Sequence, residues 1–244
     1  MISRSQIWYS DVPAIMHITH AAQEQGTAIA DVIFGDYNPA GRLVQTWPKS
    51  LDQLPRMMDY DITKGRTYMY FKDEPLYAFG YGLSYITFEY SNLKINRDKM
   101  SKKGSINVTS DIKNTGRSEG DEVVQLYVLI PESKVIRPIK ALKGFQRISL
   151  KAGESKTVSF ALKAQSLECW NDNTPGWEVE SGPVIILFGS LVLALTLTLF
   201  QSSFGKASDF GRHSRLRPTK SEVNVSGTDK SCNLLIEISG IRSK

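Results

Sequence analysis

The sequence predicts a mainly β chain, an antiparallel β-sandwich preceded by an incomplete α/β fragment. Short runs in which apolar and polar residues alternate, separated by turn residues, fill the span from about 86 to 190. A single strand-then-helix pattern precedes them between Asp11 and Gly35, half of an α/β unit with no parallel neighbour and no second layer. Between these two parts, residues 65–85 gather seven aromatic side chains and three glycines without helical periodicity, the mark of an ordered linker.

The elements follow in order. Val12, Ala14, Ile15, Met16 and Ile18 suit a short buried strand. Within 23–34, Ala28, Ile29, Val32 and Ile33 form one helical stripe, and Gly35 is a natural stop. Asp36-Tyr-Asn-Pro-Ala-Gly-Arg is rich in turn formers, and 43–54, with Trp47-Pro48 and Leu54-Pro55, reads as extended chain. Beyond Tyr85, Ile106, Val108 and Ile112 alternate up to a turn at Asn114-Thr-Gly, and Val124, Leu126 and Val128 alternate again. Residues 142–150 follow, then Val158, Phe160 and Leu162, divided by Lys151-Ala-Gly-Glu. The expected division is 1–58 α/β remnant, 59–85 aromatic linker, 86–190 sandwich and 191–244 a divergent, disordered basic tail.

Charge narrows the function classes. The net +5 sits in the tail, where 201–244 hold 8 basic against 4 acidic residues, while 1–200 hold 22 against 21. A near-neutral body lacks the clustered basic face that nucleic acid needs, so nucleic acid is excluded as a partner. Cys169 and Cys232 make no disulfide framework and have no metal-ligand spacing; one core thiol and one tail thiol are expected. The first residues carry no continuous apolar core of signal-peptide length. Val184 to Phe200 is 17 residues without a charge, the lower limit for a spanning helix. Leu191, Leu193, Leu195, Leu197 and Leu199 nevertheless alternate with smaller residues, and Thr196 and Thr198 favour strand, so a membrane span is disfavoured.

Four ordered blocks carry a family resemblance. The stretch from Gly26 through Asp36-Tyr-Asn-Pro-Ala-Gly-Arg-Leu is followed by Gly65-Arg-Thr-Tyr-Met-Tyr-Phe with Pro75-Leu-Tyr-Ala-Phe-Gly-Tyr-Gly-Leu-Ser-Tyr. Asn114-Thr-Gly with Gly120-Asp-Glu-Val-Val-Gln-Leu-Tyr-Val, and Leu142-Lys-Gly-Phe with Ala152-Gly-Glu-Ser-Lys-Thr-Val, complete the set. Together they resemble the C-terminal part of the family three glycoside hydrolases, the β-glucosidase and β-xylosidase group. The resemblance implies the end of that family's α/β sandwich domain followed by a fibronectin type III-like (immunoglobulin-like) β-sandwich.

What the resemblance implies about chemistry is mostly negative for this chain. Retaining hydrolysis needs a nucleophile and a proton donor about 5 Å apart across the scissile bond. The family's nucleophilic aspartate lies on a barrel domain, and its acid/base glutamate lies upstream of the part matched here. No catalytic residue, cofactor or metal site is therefore assigned. The parts implied as partners are the missing barrel domain and, in the full-length enzyme, β-linked glycosides or oligosaccharides. Secreted or periplasmic placement is what the family implies, and the chain itself leaves localisation open.

Local acids do not replace that pair, because Asp36, Asp59, Asp61, Asp73 and Glu74 sit in loops, where solvated carboxylates are the rule. His17 and His20 have the i, i+3 spacing of a helical metal pair, without an evident third ligand. Tyr68, Tyr70, Tyr77, Tyr81 and Tyr85 are candidates for stacking on sugar rings. The competing reading makes these rings glue between the two parts, and the weight of buried aromatics in interfaces favours it. Two functions follow: the bracing C-terminal portion of a β-glycosidase, inactive alone, or a noncatalytic carbohydrate-binding or interaction module.

Overall fold

A strand's alternate side chains point to opposite faces, so the sandwich sequence fixes which residues meet in its interior. The computed structural model describes residues 12–18, 23–190, 193–201 and 234–237, the last two stretches as backbone alone. The first elements are β1 (Ala14–His17), helix α1 (Gln25–Phe34) and a single helical turn α2 (Thr67–Tyr70). Strands β2 (Phe88–Ile95), β3 (Lys99–Met100), β4 (Ser105–Asn114), β5 (Gly120–Leu129), β6 (Ala141–Leu150) and β7 (Ser155–Lys163) follow. The chain continues through β8 (Cys169–Asn171), β9 (Gly176–Glu178), β10 (Gly182–Ser190), β11 (Leu193–Gln201) and β12 (Leu234–Glu237).

Two sheets close on one core. One has the order β2-β4-β7 and the other β3-β11-β10-β5-β6. Within them every pairing is antiparallel except β3 with β11. Ile106, Val108 and Ile112 of β4 share a buried cluster with Val124, Leu126 and Val128 of β5 and with Ile186 and Phe188 of β10. The expected alternation thus becomes the interior of an antiparallel sandwich. Gly153, at φ +76, makes the turn between β6 and β7.

The α/β fragment is a strand and a helix, as the pattern of 11–35 predicts. Gly35 ends α1 in the left-handed conformation at φ 85, donating its N–H to the Val32 carbonyl at 3.2 Å. Loop residues Leu43 and Trp47 then zip onto the aromatic linker. The Leu43 N–H donates to the Tyr81 carbonyl at 2.8 Å, the Gly80 N–H to the Leu43 carbonyl at 2.7 Å, and the Trp47 N–H to the Tyr77 carbonyl at 2.8 Å. Leu43, Trp47 and Tyr77 form a second, small buried cluster on which Ile15 packs.

Some expectations change. Residues 193–201 and 234–237 lie in the span expected to be a disordered tail, yet they form β11 against β10 and β12 beside β1. The alternating leucines and threonines of 193–199 explain the first; the rest of that tail lies outside the described residues. The apolar run 184–200 is split between β10 and β11, and among the described residues no helix is long and apolar enough to cross a membrane. His17 stands on a strand, so the helical pairing with His20 has no basis, and His20 lies outside the described residues. Cys169 is no core thiol; it is a half-exposed residue on a hairpin, while Cys232 lies outside the described residues.

Candidate functional site

The most constrained polar arrangement lies where the loop after α1 meets the start of β5. Arg42 reaches Glu122 with Nη2 2.5 Å from Oε2, and their side chains are only 8% and 2% exposed. The Tyr90 hydroxyl donates to the other carboxylate oxygen at 2.8 Å. Burial pushes the Glu122 carboxyl above the usual range, against the pull of Arg42, Tyr90 and the Val123 N–H. Around this pair, Arg147 donates to the Tyr37 hydroxyl at 2.6 Å, the Tyr85 N–H donates to Asn38 Oδ1 at 2.8 Å, and the Tyr85 hydroxyl donates to the Val32 carbonyl at 2.8 Å.

Glycines allow the close approach. A Cβ on Gly82 would lie 2.5 Å from the Gly41 carbonyl, and one on Gly80 would lie 2.8 Å from Gln125 Oε1 of β5. The linker therefore touches the loop on one side and the sandwich on the other.

The candidate tyrosines occupy this seam in different ways. Tyr68 is half-buried, stacked on Phe79 at 4.2 Å and edge-on to Tyr127 of β5 at 6.1 Å, and its hydroxyl accepts the Leu142 N–H at 3.2 Å. Tyr77 is buried, 6.0 Å from Trp47 and 5.2 Å from Tyr81 between ring centroids. Tyr81 and Tyr70 are half-buried, and Tyr85 is the exposed member of the group. Tyr68 and Phe79 border a mostly apolar cavity of about 350 Å³ that also takes in Val44, Leu54 and Phe71. A neighbouring groove of about 310 Å³ runs between Leu43, Phe79, Val123 and Phe145.

The flanking acids are occupied at the surface. Asp59 pairs with Lys64 at 2.8 Å, Asp61 accepts the Thr63 N–H at 3.0 Å, and Glu74 pairs with Lys49 at 2.5 Å. Hydrogen bonds to the charged form, from Lys64, Thr63 and Lys49 respectively, hold these three carboxyls low. A glycosidase proton donor needs the opposite shift. Glu122 is shifted upward, but it is sealed behind Arg42 and Tyr90 and serves the seam. His17 meets Trp47 edge-on at 4.8 Å, with burial depressing its basicity. Among the described residues no group of three or more His, Cys, Asp or Glu gathers to hold a metal.

The Arg42–Glu122 pair and the hairpin β8–β9 were missed in the sequence. Arg42 and Glu122 lie in separate motif blocks, eighty residues apart. The hairpin places Trp170 directly opposite Trp177, and both are exposed.

Comparison with known proteins is consistent along the chain. Residues 1–85 match the glycosyl hydrolase family 3 C-terminal domain, and residues 122–192 match the fibronectin type III-like domain. The chain is 38% identical over 194 residues to thermostable beta-glucosidase B of Acetivibrio thermocellus, covering 75% of this chain and 26% of that protein. It is 42% identical over 192 residues to xylan 1,4-beta-xylosidase of Xylanibacter ruminicola, covering 76% of this chain and 22% of that protein. The crystal structure of beta-D-glucoside glucohydrolase from Trichoderma reesei superposes with a TM-score of 0.66 at 33% identity, over 74% of this chain and 29% of that one. The chain thus spans about a quarter of the length of the curated relatives it matches.

Proposed function

Because the chain belongs to glycoside hydrolase family three, in the C-terminal part of that family, we propose that it is the bracing portion of a β-glycosidase acting on β-glucosides or β-xylosides. In this reading its α/β fragment completes a larger domain, its aromatic linker and seam lock that domain to the sandwich, and the reacting carboxyls lie on other parts of the enzyme. The buried Arg42–Glu122 pair is the observation that carries the proposal. A desolvated ion pair is costly to assemble and strongly penalised when broken, so it suits a joint that must hold one geometry.

Large apolar side chains stand exposed in the first part of the chain, Phe34 at the end of α1 at 81% and Met57 at 85% among them, and the rest of a larger domain would cover them in this reading.

The test has two parts. The purified chain, offered chromogenic β-glucosides and β-xylosides, should give no turnover; turnover would show that it holds its own catalytic pair. A chimera in which the chain replaces the matching quarter of the A. thermocellus relative should be soluble and active. The same relative lacking that quarter should lose stability and activity together, and full activity in that truncated protein would overturn the bracing role.

A further inference from the structure

A strand that leads into a helix calls for a parallel neighbour, and this chain supplies one from its far end. β12 runs parallel to β1, with Ala14 opposite Leu234, Ile15 opposite Leu235, Met16 opposite Ile236 and His17 opposite Glu237. Among the described residues these two strands form a sheet by themselves, so β12 is the one strand neighbour of β1. The sequence explains why this segment serves. Leu234-Leu-Ile is the one run of three consecutive apolar residues beyond Gln201, and buried parallel strands are built from such continuous apolar runs.

The ladder is weak. Parallel pairing is slightly less stable per residue than antiparallel pairing, and a sheet of two strands alone is marginal in water. Here each strand has four residues. Ile15 and His17 lie on the face of β1 that meets the seam, Ile15 packing on the Leu43, Trp47 and Tyr77 cluster and His17 meeting Trp47 edge-on. With β12 in place, Ile15, Met16 and His17 are nevertheless only half-buried. β1 is therefore left short of the burial that a parallel strand gains inside a larger sheet.

β1 also has the composition of an interior strand. Apolar residues stand on both of its faces, Ala14 and Met16 on one and Ile15 on the other. It carries no Lys, Asp, Glu or Pro, the residues that blunt a sheet edge against pairing. An interior strand is paired along both edges. In the bracing reading the larger α/β domain brings such a sheet, and the edge that β12 holds is one that this sheet needs.

We propose that β12 is a displaceable stand-in: it closes one edge of β1 in the isolated chain and blocks that edge until a parallel apolar strand of the larger α/β domain replaces it. The displacement rests on the bracing reading; the pairing rests on the register alone. Both are tested in the full chain with Cys169→Ser and Cys232→Ser, to which Met16→Cys and Ile236→Cys add two thiols at one rung. Paired strands lie about 4.8 Å apart, whereas Met16→Cys with Leu234→Cys, out of register, stand roughly 8 Å apart, beyond the reach of a disulfide at about 7 Å. Oxidised glutathione should close the matched pair roughly tenfold faster than the mismatched one, and equal rates would overturn the pairing. In the chimera with the A. thermocellus relative the matched pair should close roughly tenfold more slowly than in the isolated chain. Forcing it closed with diamide should cut turnover of a chromogenic β-glucoside roughly tenfold, and reductant should restore it. Ile236→Pro, which removes a backbone donor from β12, should raise the yield of active chimera. A matched pair that closes as fast in the chimera as in the isolated chain, with turnover unchanged by closure, would place β12 on an edge that nothing else needs and would overturn the displacement. Failure of the bracing reading looks different: the reduced chimera is inactive with or without Ile236→Pro, while the ratio of closure rates still decides for or against β12.

Discussion

Removing Arg42 should loosen the joint between the two parts more than any other single truncation on its surface. In Arg42→Ala the Glu122 carboxylate keeps the Tyr90 hydroxyl but loses its countercharge at 2.5 Å in a site where only 2% of its side chain is exposed. Breaking one side of a buried ion pair costs about 3–5 kcal/mol, because the remaining charge is left without compensation. For 150–250 ordered residues each kcal/mol moves the midpoint by about 2–4 °C, which gives a fall on the order of 10 °C. An apolar triple replacement, Arg42→Met with Glu122→Leu and Tyr90→Phe, removes every member of the network together and should recover most of that loss.

The same variant carries a pH signature. Burial already pushes the Glu122 carboxyl upward against the pull of Arg42, so losing Arg42 pushes it further. A carboxyl whose folded pKa exceeds its unfolded value contributes its stability below the unfolded value and loses it as pH rises through the folded one. The Arg42→Ala deficit should therefore shrink near about pH 5 and widen near about pH 8. Thermal melts followed by circular dichroism at both pH values measure it. A midpoint within about a degree of the parent, or a deficit that grows on acidification, would refute the claim that a buried charge pair holds the joint.

Glu180 should behave in the opposite sense. Burial pushes its carboxyl up, but the Ser133 hydroxyl, the Lys134 N–H and Arg137 outweigh it and hold the carboxyl below its ordinary value. Its contribution is present above the unfolded carboxylate pKa and lost as pH falls through the lower folded one, so Glu180→Gln should cost about 2 kcal/mol near neutrality and flatten the acid limb of a stability profile. Gly82→Ala, whose new Cβ meets the Gly41 carbonyl at 2.5 Å, should cost roughly 1–3 kcal/mol by urea denaturation. Gly26→Ala in α1, with nothing within 4 Å of the new Cβ, should be neutral or stabilise by up to about 1 kcal/mol in the same titration.

The sandwich was legible because one physical rule repeats in it. Ile106, Val108 and Ile112 alternate since β4 has one face in the core, and the same holds for Val124, Leu126 and Val128 in β5. Where the rule is interrupted, the sequence was silent. The register of β2 against β4 shifts between Ser91 and Lys94, with Asn92 left-handed at φ 53, so its apolar residues fall out of step. β3 has two residues and α2 one turn, too short to show any period. The alternating leucines after Leu191 carry a strand signal that outranks the change of composition near 190, because period follows the pairing of β11 with β10 and composition does not.

The aromatic residues show why a functional site is harder to read than a fold. Residue type proposed the tyrosines of 65–85 as a surface for sugar, and type cannot report exposure. Backbone hydrogen bonds between 43–47 and 76–81 bring Tyr77 against Trp47, and Tyr68 lies against Phe79 and Tyr127 with its hydroxyl accepting the Leu142 N–H. Trp170 and Trp177, seven positions apart, have a spacing that suits a helix face as well as it suits anything, and only the pairing of Cys169 with Glu178 brings the two indoles to one face of a hairpin. Arg42 and Glu122 sit in separate motif blocks whose contact exists only after the linker has folded back along β5. In each case the deciding information is a long-range pairing rather than a local pattern. Rings flanking the backbone ladder of the seam are packed against neighbours from both parts of the chain, whereas rings paired across a short hairpin stay exposed.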